Sequence, residues 1–436
     1  MIKNFLRKLT PKFLLSWYHF GWALLGVLIY RFPSKKIKVI GVTGTKGKTT
    51  TCNLITDILN YSGFKTGMMS TVNFKIGEKN WINQSKQTML GRFKLQKMLR
   101  QMVKEKCQYA VIETSSEGIL QHRHRFIDYE MAVFTNLSPE HLERHRGFEN
   151  YRAAKIKLFE KVAKKRDSVG VYNLDDENVE YFLAVPVKNK YGYGTKLKIK
   201  NEKLKIDYEL MITNCELTPQ GTKFTANNVD FEMKLLGEFN IYNAAAAICL
   251  ALSRGISMEK IKEALIRAKP VPGRMEVIDK GQDFTVVVDY AHEPVGLEQV
   301  YQSIKIFHPS KIIALLGAQG GGRDKSKRAV LGEIAGQYAD YVIVTNEDPY
   351  DEPPLEIIQD VMNGVLKNSQ KKLNENVFSI LDRRQAIIKA LNLAQKGDSV
   401  ILTGKGGEVW MCVENNRKIL WDEKKIVEEE LEKLYR

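Results

Sequence analysis

The chain has few cysteines, and none of them lie close together. Cys52, Cys107, Cys215, Cys249 and Cys412 are scattered through 436 residues with no C-x-x-C spacing. That pattern excludes a disulfide framework and a cysteine-based zinc site, and it fits a reducing compartment. No repeat or low-complexity tract stands out. No nucleic-acid module is recognisable either, although the net charge is +16. The basic residues are spread along the chain, so no nucleic acid is expected as a partner. The charge reads either as a lysine-rich solvated surface or as attraction to an anionic substrate or membrane. A hydrophobic share of 44% and a charged share of 27% are those of a soluble globular protein. The length allows roughly two to three domains.

Phe13 to Tyr30 contains no Asp, Glu, Lys or Arg. It sits at the lower edge of what spans a bilayer. Ser16, His19, Ala23, Gly26 and Tyr30 recur at helical spacing and form a smaller, more polar stripe. Trp17, Tyr18, Trp22 and Tyr30 are residues that favour interfaces. Lys3, Arg7, Lys8 and Lys12 precede the segment, and Arg31, Lys35 and Lys36 follow it. Basic flanks on both sides suit a helix lying in the membrane plane better than a single span. The other reading is a hydrophobic helix docked on protein. Arg31-Phe32-Pro33 is a poor cleavage site, so a secretory signal is not expected.

Gly41 to Thr50 reads Gly-Val-Thr-Gly-Thr-Lys-Gly-Lys-Thr-Thr, between an apolar run at Ile37–Ile40 and a periodic segment at Cys52–Tyr61. Strand, glycine-rich loop and helix together are the context of a phosphate-binding loop. Backbone N–H groups of Gly44, Thr45, Lys46 and Gly47 would face an anion. Lys48 would reach the terminal phosphates of ATP, and Thr49 and Thr50 would open the helix, with the Thr49 hydroxyl on Mg²⁺. The general pattern has glycine where this chain has Val42.

Further apolar runs at Tyr109–Glu113, Met131–Asn136 and Ser168–Asn173 suit a buried parallel sheet. Helical patterns cover Phe93–Glu105 and Asn150–Lys164, residues 195–236 read as a small β-rich insert, and Asn243–Leu252 as an alanine-rich helix. Lys269-Pro270-Val271-Pro272-Gly273 is a rigid break. Strands return at Thr285–Asp289, Lys311–Leu316, Tyr341–Thr345 and Ser399–Thr403. The expected fold class is therefore α/β. A P-loop ATPase domain with a parallel sheet spans 38–269, and a Rossmann-like α/β domain spans 270–436. The hydrophobic helix and its basic flanks occupy 1–37.

Polar residues gather at strand ends: Glu113, Asn136, the run Glu140-His141, and Lys155 beyond them. A carboxylate and an imidazole near a phosphate loop are plausible ligands for Mg²⁺. Taken in order, Thr43–Thr50, Glu113-Thr114-Ser115-Ser116, Gln121-His122-Arg123, Phe134–Ser138, Ala153-Ala154-Lys155, Gly237–Asn243, Pro272–Glu276 and Val288–His292 resemble the Mur ligase family. The nearest type is the MurE-like one, which adds the third amino acid to UDP-N-acetylmuramoyl-dipeptide.

The resemblance covers roughly residues 38–436 and implies an ATP-dependent ligase of peptidoglycan synthesis. ATP would convert a carboxylate to an acyl phosphate, and the amino group of an incoming amino acid would displace the phosphate. It implies Lys48, Glu113, His141 and Lys155 as catalytic, and Thr49, Glu113, His141 and a carbamylated Lys155 as metal-supporting. Asn136, Asn243, Arg274, Asp289 and His292 match nucleotide-facing positions. Thr88, Ser115, Ser116, Gln121 and Arg123 match the muramoyl-peptide side, with Asp348 and Glu408 facing the amino acid. The cofactors implied are ATP and Mg²⁺, the partners small molecules. The expected place is the cytoplasm or the inner membrane face.

Four departures stand out. About 37 residues precede the first strand, too few for the family's domain that grips the uridine nucleotide. A family loop that recognises diaminopimelate by arginine reads Glu347-Asp348-Pro349-Tyr350, and tyrosine makes no bidentate carboxylate contact. The Gly-Lys-Gly-His-Glu loop reads Gly404-Lys405-Gly406-Gly407-Glu408. Finally, Ser115-Ser116-Glu117 and Glu140-His141-Leu142 replace Ser-Ser-His and Asp-His-Leu. Two rival readings remain open here: the same chemistry on a lipid-linked or non-UDP acceptor, and a nucleotide-binding membrane scaffold without catalysis.

Overall fold

A computed structural model describes residues 12–85, 87–140, 142–196, 204–368, 370–415 and 417–435. His141 lies outside the described residues. The chain divides into two compact units. The first holds residues 1–216, 223–233 and 239–268. The second holds residues 217–222, 234–238 and 269–436.

The first unit is built on β1 (Lys38–Thr43), β2 (Thr66–Met69), β3 (Asn73–Ile76), β4 (Lys79–Ile82), β5 (Tyr109–Glu113), β6 (Tyr129–Phe134), β7 (Val169–Asn173), β8 (Asn189–Gly194), β9 (Tyr208–Thr218), β10 (Gly221–Ala226) and β11 (Val229–Met233). All lie in one sheet, in the order β11-β10-β9-β8-β7-β6-β1-β5-β2-β3-β4. The described part of the expected β-rich insert at 195–236 holds β9, β10 and β11. Its described strands extend the edge of the main sheet, because their backbone hydrogen bonds continue from β8 to β9 in parallel. Alternation identifies strands but not the edge they join.

The middle strands are near-continuous apolar runs because helices cover both faces. Val39, Ala110, Ile112, Tyr129, Phe134, Leu158 and Phe159 are fully buried there. Register positions the chemistry. Val42 pairs with Glu113 and Thr43 pairs with Phe134. The carboxyl ends of β1, β5 and β6 therefore finish level, with β1 between strands on either side. Chain direction away from the sheet diverges at such a point, which leaves a crevice.

The second unit has a sheet of β12 (Glu276–Ile278), β13 (Thr285–Val288), β14 (Ile312–Leu316), β15 (Tyr341–Thr345), β16 (Val377–Ile380) and β17 (Ser399–Leu402), ordered β12-β13-β17-β14-β15-β16. Only β12 runs antiparallel to its neighbour among the pairings of this sheet. A two-stranded ribbon, β18 (Trp410–Cys412) and β19 (Lys418–Leu420), follows. Val288 and Leu315 both pair with Leu402, and Leu316 pairs with Val344. The loops at Asp289, Gly317, Glu347 and Gly404 therefore leave from one end of the sheet.

An N-terminal helix, Lys12–Ile29, packs on helix Arg92–Lys104. The small-residue stripe faces inward: Ala23, Gly26 and Val27 are buried. A Cβ on Gly26 would stand 3.3 Å from the Phe93 Cα, so glycine permits the close approach. Tyr30 packs edge-on against Phe93, and Phe20 against Phe126. Among the described residues no helix is long and apolar enough to cross a membrane.

Candidate active site

The loop after β1 is held in shape by its neighbours. Thr45 N–H donates to the Asn136 carbonyl at 2.9 Å, and Lys46 N–H donates to Asn136 Oδ1 at 2.9 Å. Thr135 Oγ1 donates to the Lys46 carbonyl at 2.7 Å. Asn136 thus shapes the loop itself. Gly47 has φ 79°, and a Cβ there would stand 2.2 Å from Asn243 Oδ1. Only glycine fits both the backbone and that contact. Asn243 is itself oriented by Asn240 and by the Thr51 hydroxyl. Thr49 and Thr50 are buried in the first turn of helix Lys48–Tyr61. With no acidic residue in that turn, the positive end of the helix is left for an anion.

Glu113 is the centre of the unit's polar constellation. It is 2% exposed. Oε2 accepts from the Thr49 hydroxyl at 2.9 Å and from Thr71 N–H at 2.7 Å, and Oε1 accepts from the Thr71 hydroxyl at 2.9 Å. Thr71 also contacts the Thr88 hydroxyl at 3.1 Å. Arg123 then grips the residues on either side of Thr88, through Gln87 Oε1 at 3.2 Å and the Met89 carbonyl. Gln121 steers Arg123 by accepting from Nη2 at 2.7 Å. A chain of contacts therefore joins the phosphate loop to Thr88 and Arg123. Ser115 caps helix Ser116–Leu120 by accepting from Gly118 N–H, which occupies its hydroxyl with a structural task. Ser116 is buried beside it.

Lys155 is 1% exposed. Its Nζ donates to the Gly44 carbonyl at 2.6 Å and lies 4.5 Å from the Tyr151 ring centroid. Burial, then the charge of Lys48, holds its pKa well below the usual lysine range. Lys48 Nζ donates to the Thr45 carbonyl at 2.7 Å. An alcohol and a carboxylate, both hard oxygen donors, sit beside a lysine and a helix N-terminus. That set suits Mg²⁺ and phosphate.

The second unit brings together the other expected residues. Asp289 accepts from Met275 N–H and Ala291 N–H, both at 2.7 Å. Arg274 lies over the Tyr290 ring at 4.4 Å, and His292 Nδ1 meets the Tyr290 carbonyl at 2.8 Å. Tyr290 Oη donates to Glu408 Oε1 at 3.3 Å. Lys405, fully buried, donates to Asp348 Oδ1 at 3.0 Å, Glu408 Oε2 at 2.8 Å and the Trp410 carbonyl at 2.8 Å. Asp348 Oδ1 also accepts from Cys412 N–H at 2.7 Å. Burial, then the charge of Asp348, pushes the Glu347 carboxyl up.

Sequence reasoning missed Thr71, Tyr151, Tyr290 and Lys405 as site residues. Tyr151 was detectable, since it stands four residues before Lys155 on one helix face. Thr71 has no signal beyond a hydroxyl pair at a strand end.

This is a nucleotide-binding α/β architecture whose phosphate loop is coupled to a buried carboxylate. The Mur ligase middle domain matches residues 42–251, and the Mur ligase glutamate ligase domain matches residues 273–406. A UDP-N-acetylmuramoyl-L-alanyl-D-glutamate–2,6-diaminopimelate ligase of Syntrophomonas wolfei is 38% identical over 415 residues, 93% of this chain and 81% of that protein. A solved structure of a UDP-N-acetylmuramoyl-L-alanyl-D-glutamate–2,6-diaminopimelate ligase is 29% identical with a TM-score of 0.60, over 92% of this chain and 79% of that one. The Mycobacterium tuberculosis folylpolyglutamate synthase with ADP shares the fold, with a TM-score of 0.69 at 16% identity, over 88% of this chain and 91% of that one. The chain belongs to the Mur ligase family, whose members are ATP-dependent amide-forming ligases.

Proposed function

We propose that this protein joins an amino acid to a muramoyl-peptide precursor in the cytoplasm, at the expense of ATP and with Mg²⁺. The Glu113 contacts carry the reading, because they tie the phosphate loop to the Thr88–Arg123 segment. The acceptor carboxylate attacks the terminal phosphorus of ATP. An O–P bond forms, the bridging P–O bond breaks and ADP leaves. The amine then attacks the acyl carbon, a C–N bond replaces C–O, and phosphate leaves as the amine sheds a proton. Carboxylate oxygen is a poor leaving group and phosphate a good one. Lys48 and the N-terminal end of helix Lys48–Tyr61 hold the charge that builds on the transferring group, while the Thr45 and Lys46 N–H groups are spent on Asn136. Thr49 and Glu113 would hold Mg²⁺, which neutralises phosphate charge when bound.

Phosphate release in the presence of ATP, Mg²⁺, UDP-N-acetylmuramoyl-dipeptide and a panel of amino acids tests this. Release is expected only when the acceptor and one amino acid are both present. Release that ignores the acceptor would overturn the reading.

Thr71 makes a prediction of its own. Thr71→Ala removes the hydroxyl that orients Glu113 Oε1 and leaves the carboxylate and the backbone N–H bond to Oε2 in place. The Mg²⁺ concentration for half-maximal rate should rise about 10- to 100-fold, as for other lost supports of a metal ligand. An unchanged Mg²⁺ titration would dismiss Thr71 as a positioning residue.

Lys155 is proposed to act as its carbamate. Carbon dioxide reacts with a neutral amine, and the lowered pKa supplies one nearer neutral pH. The sign is fixed. The folded state binds fewer protons at this group than the unfolded chain does. In buffer free of CO₂ stability should therefore rise with pH, up to the unfolded value of about 10.4. Lys155→Ala should slow turnover, and a short carboxylate such as acetate should restore part of it. Rescue by neutral acetamide to the same degree would count against a carbamate.

A further inference from the structure

We infer that the N-terminal helix Lys12–Ile29 is an in-plane anchor for an anionic membrane surface. The inference does not rest on the ligase reading.

The helix is inside out for a soluble protein. Ala23, Gly26 and Val27 face the domain and Phe20 packs on Phe126, whereas Trp17, Tyr18, Trp22, Leu25, Leu28 and Ile29 face away. Trp17 is 70% exposed, Tyr18 58%, Leu28 53% and Ile29 53%. Trp22, Leu25 and, just beyond the helix, Phe32 are also exposed. Single exposed apolar residues are ordinary, but a continuous helix face of them is not. Two tryptophans and a tyrosine on that face are residues that settle at the boundary between headgroups and acyl chains.

Charge selects the occupant. The chain has no acidic residue before Asp57. Arg31, Lys35 and Lys36 are exposed immediately after the helix. The supporting helix Arg92–Lys104 contains Arg92, Lys94, Lys97, Arg100 and Lys104 and no acid at all, and Lys94, Lys97 and Lys104 are exposed on it. An apolar face bordered by these cations is complementary to a bilayer with anionic headgroups. A second copy would set these cations against their own kind. The docked inner face explains why the helix lies flat: Gly26 and Tyr30 fasten it along helix Arg92–Lys104.

The test is flotation of the full chain with vesicles of phosphatidylcholine and phosphatidylglycerol in equal parts, against vesicles of phosphatidylcholine alone. Binding to the anionic vesicles is expected, with a blue shift of tryptophan emission that disappears in Trp17→Phe/Trp22→Phe. Neutralising Lys35→Gln and Lys36→Gln should weaken binding about fivefold per charge. Leu25→Glu/Leu28→Glu should weaken it at least ~10-fold through lost apolar burial. Both residues point outward, and unchanged nucleotide binding at the P-loop would show that the variant is folded. Equal partition to the two vesicle types, or no partition, would overturn the inference. So would a dimer in solution that the Leu25/Leu28 variant dissociates, since the face would then belong to a second copy.

Discussion

Lys48→Ala should lower turnover by about 10²- to 10³-fold, the cost of removing one preorganised charge from a developing anion. The variant should still fold and still bind ADP. The loop does not depend on the lysine for its shape, because Thr45, Lys46 and Thr135 are fixed to one another across β1 and β6. Lys48 contributes one bond, to the Thr45 carbonyl, and the positive end of helix Lys48–Tyr61 remains for an anion. Single-turnover phosphate release separates the two effects. A large loss in rate with ADP affinity nearly kept is the expected outcome. A rate close to that of the parent would remove Lys48 from phosphoryl transfer and with it the acyl-phosphate scheme.

Arg383→Met should destabilise the second unit by about 3–5 kcal/mol, the range for a buried ion pair that loses one member. Arg383 and Glu423 are both fully buried. Arg383 Nε donates to both Glu423 oxygens, at 3.1 and 3.0 Å, and Nη2 to Oε1 at 2.5 Å. Trp421 Nε1 donates to the same carboxylate at 2.6 Å. The guanidinium also reaches the Asn346 carbonyl at 3.2 Å and the Thr403 carbonyl at 2.8 Å. Those carbonyls lead into Glu347-Asp348 and Gly404-Lys405. The substitution should therefore also raise the KM for the amino acid more than it lowers kcat. Arg383→Met/Glu423→Leu should recover part of the stability, since the two charges of the pair leave together, yet not the KM. Chemical denaturation and steady-state kinetics check both. Equal stability of single and double variants would refute the account.

The phosphate loop, the polar ends of β5 and β6 and the second α/β sheet were legible in the sequence. Each is local: a glycine pattern between an apolar run and a helix, or a polar residue closing an apolar run. In a parallel sheet such ends finish level, so Glu113 and Asn136 reach the loop after β1 by register alone. Pairings distant along the chain left no trace. Lys405 and Asp348 are 57 residues apart, and Arg383 and Glu423 are 40 apart. Which edge β9–β11 would join was equally invisible, since alternation marks strands but not their partners. The N-terminal segment shows both limits at once. Its stripe of small residues was readable, but that this stripe faces the domain depends on Phe93 and Gln96, far along the chain.

Glu113 takes a hydroxyl of the phosphate loop on one side and Thr71, with Thr88 behind it, on the other. On the proposed function, that places Glu113 between two ligands, Mg²⁺ and the acceptor. If the acceptor, in settling against Thr88, tightens Mg²⁺ by some factor, then Mg²⁺ must tighten the acceptor by the same factor. The coupling then runs through one carboxylate, and Thr71→Ala should bring that factor towards one from both directions.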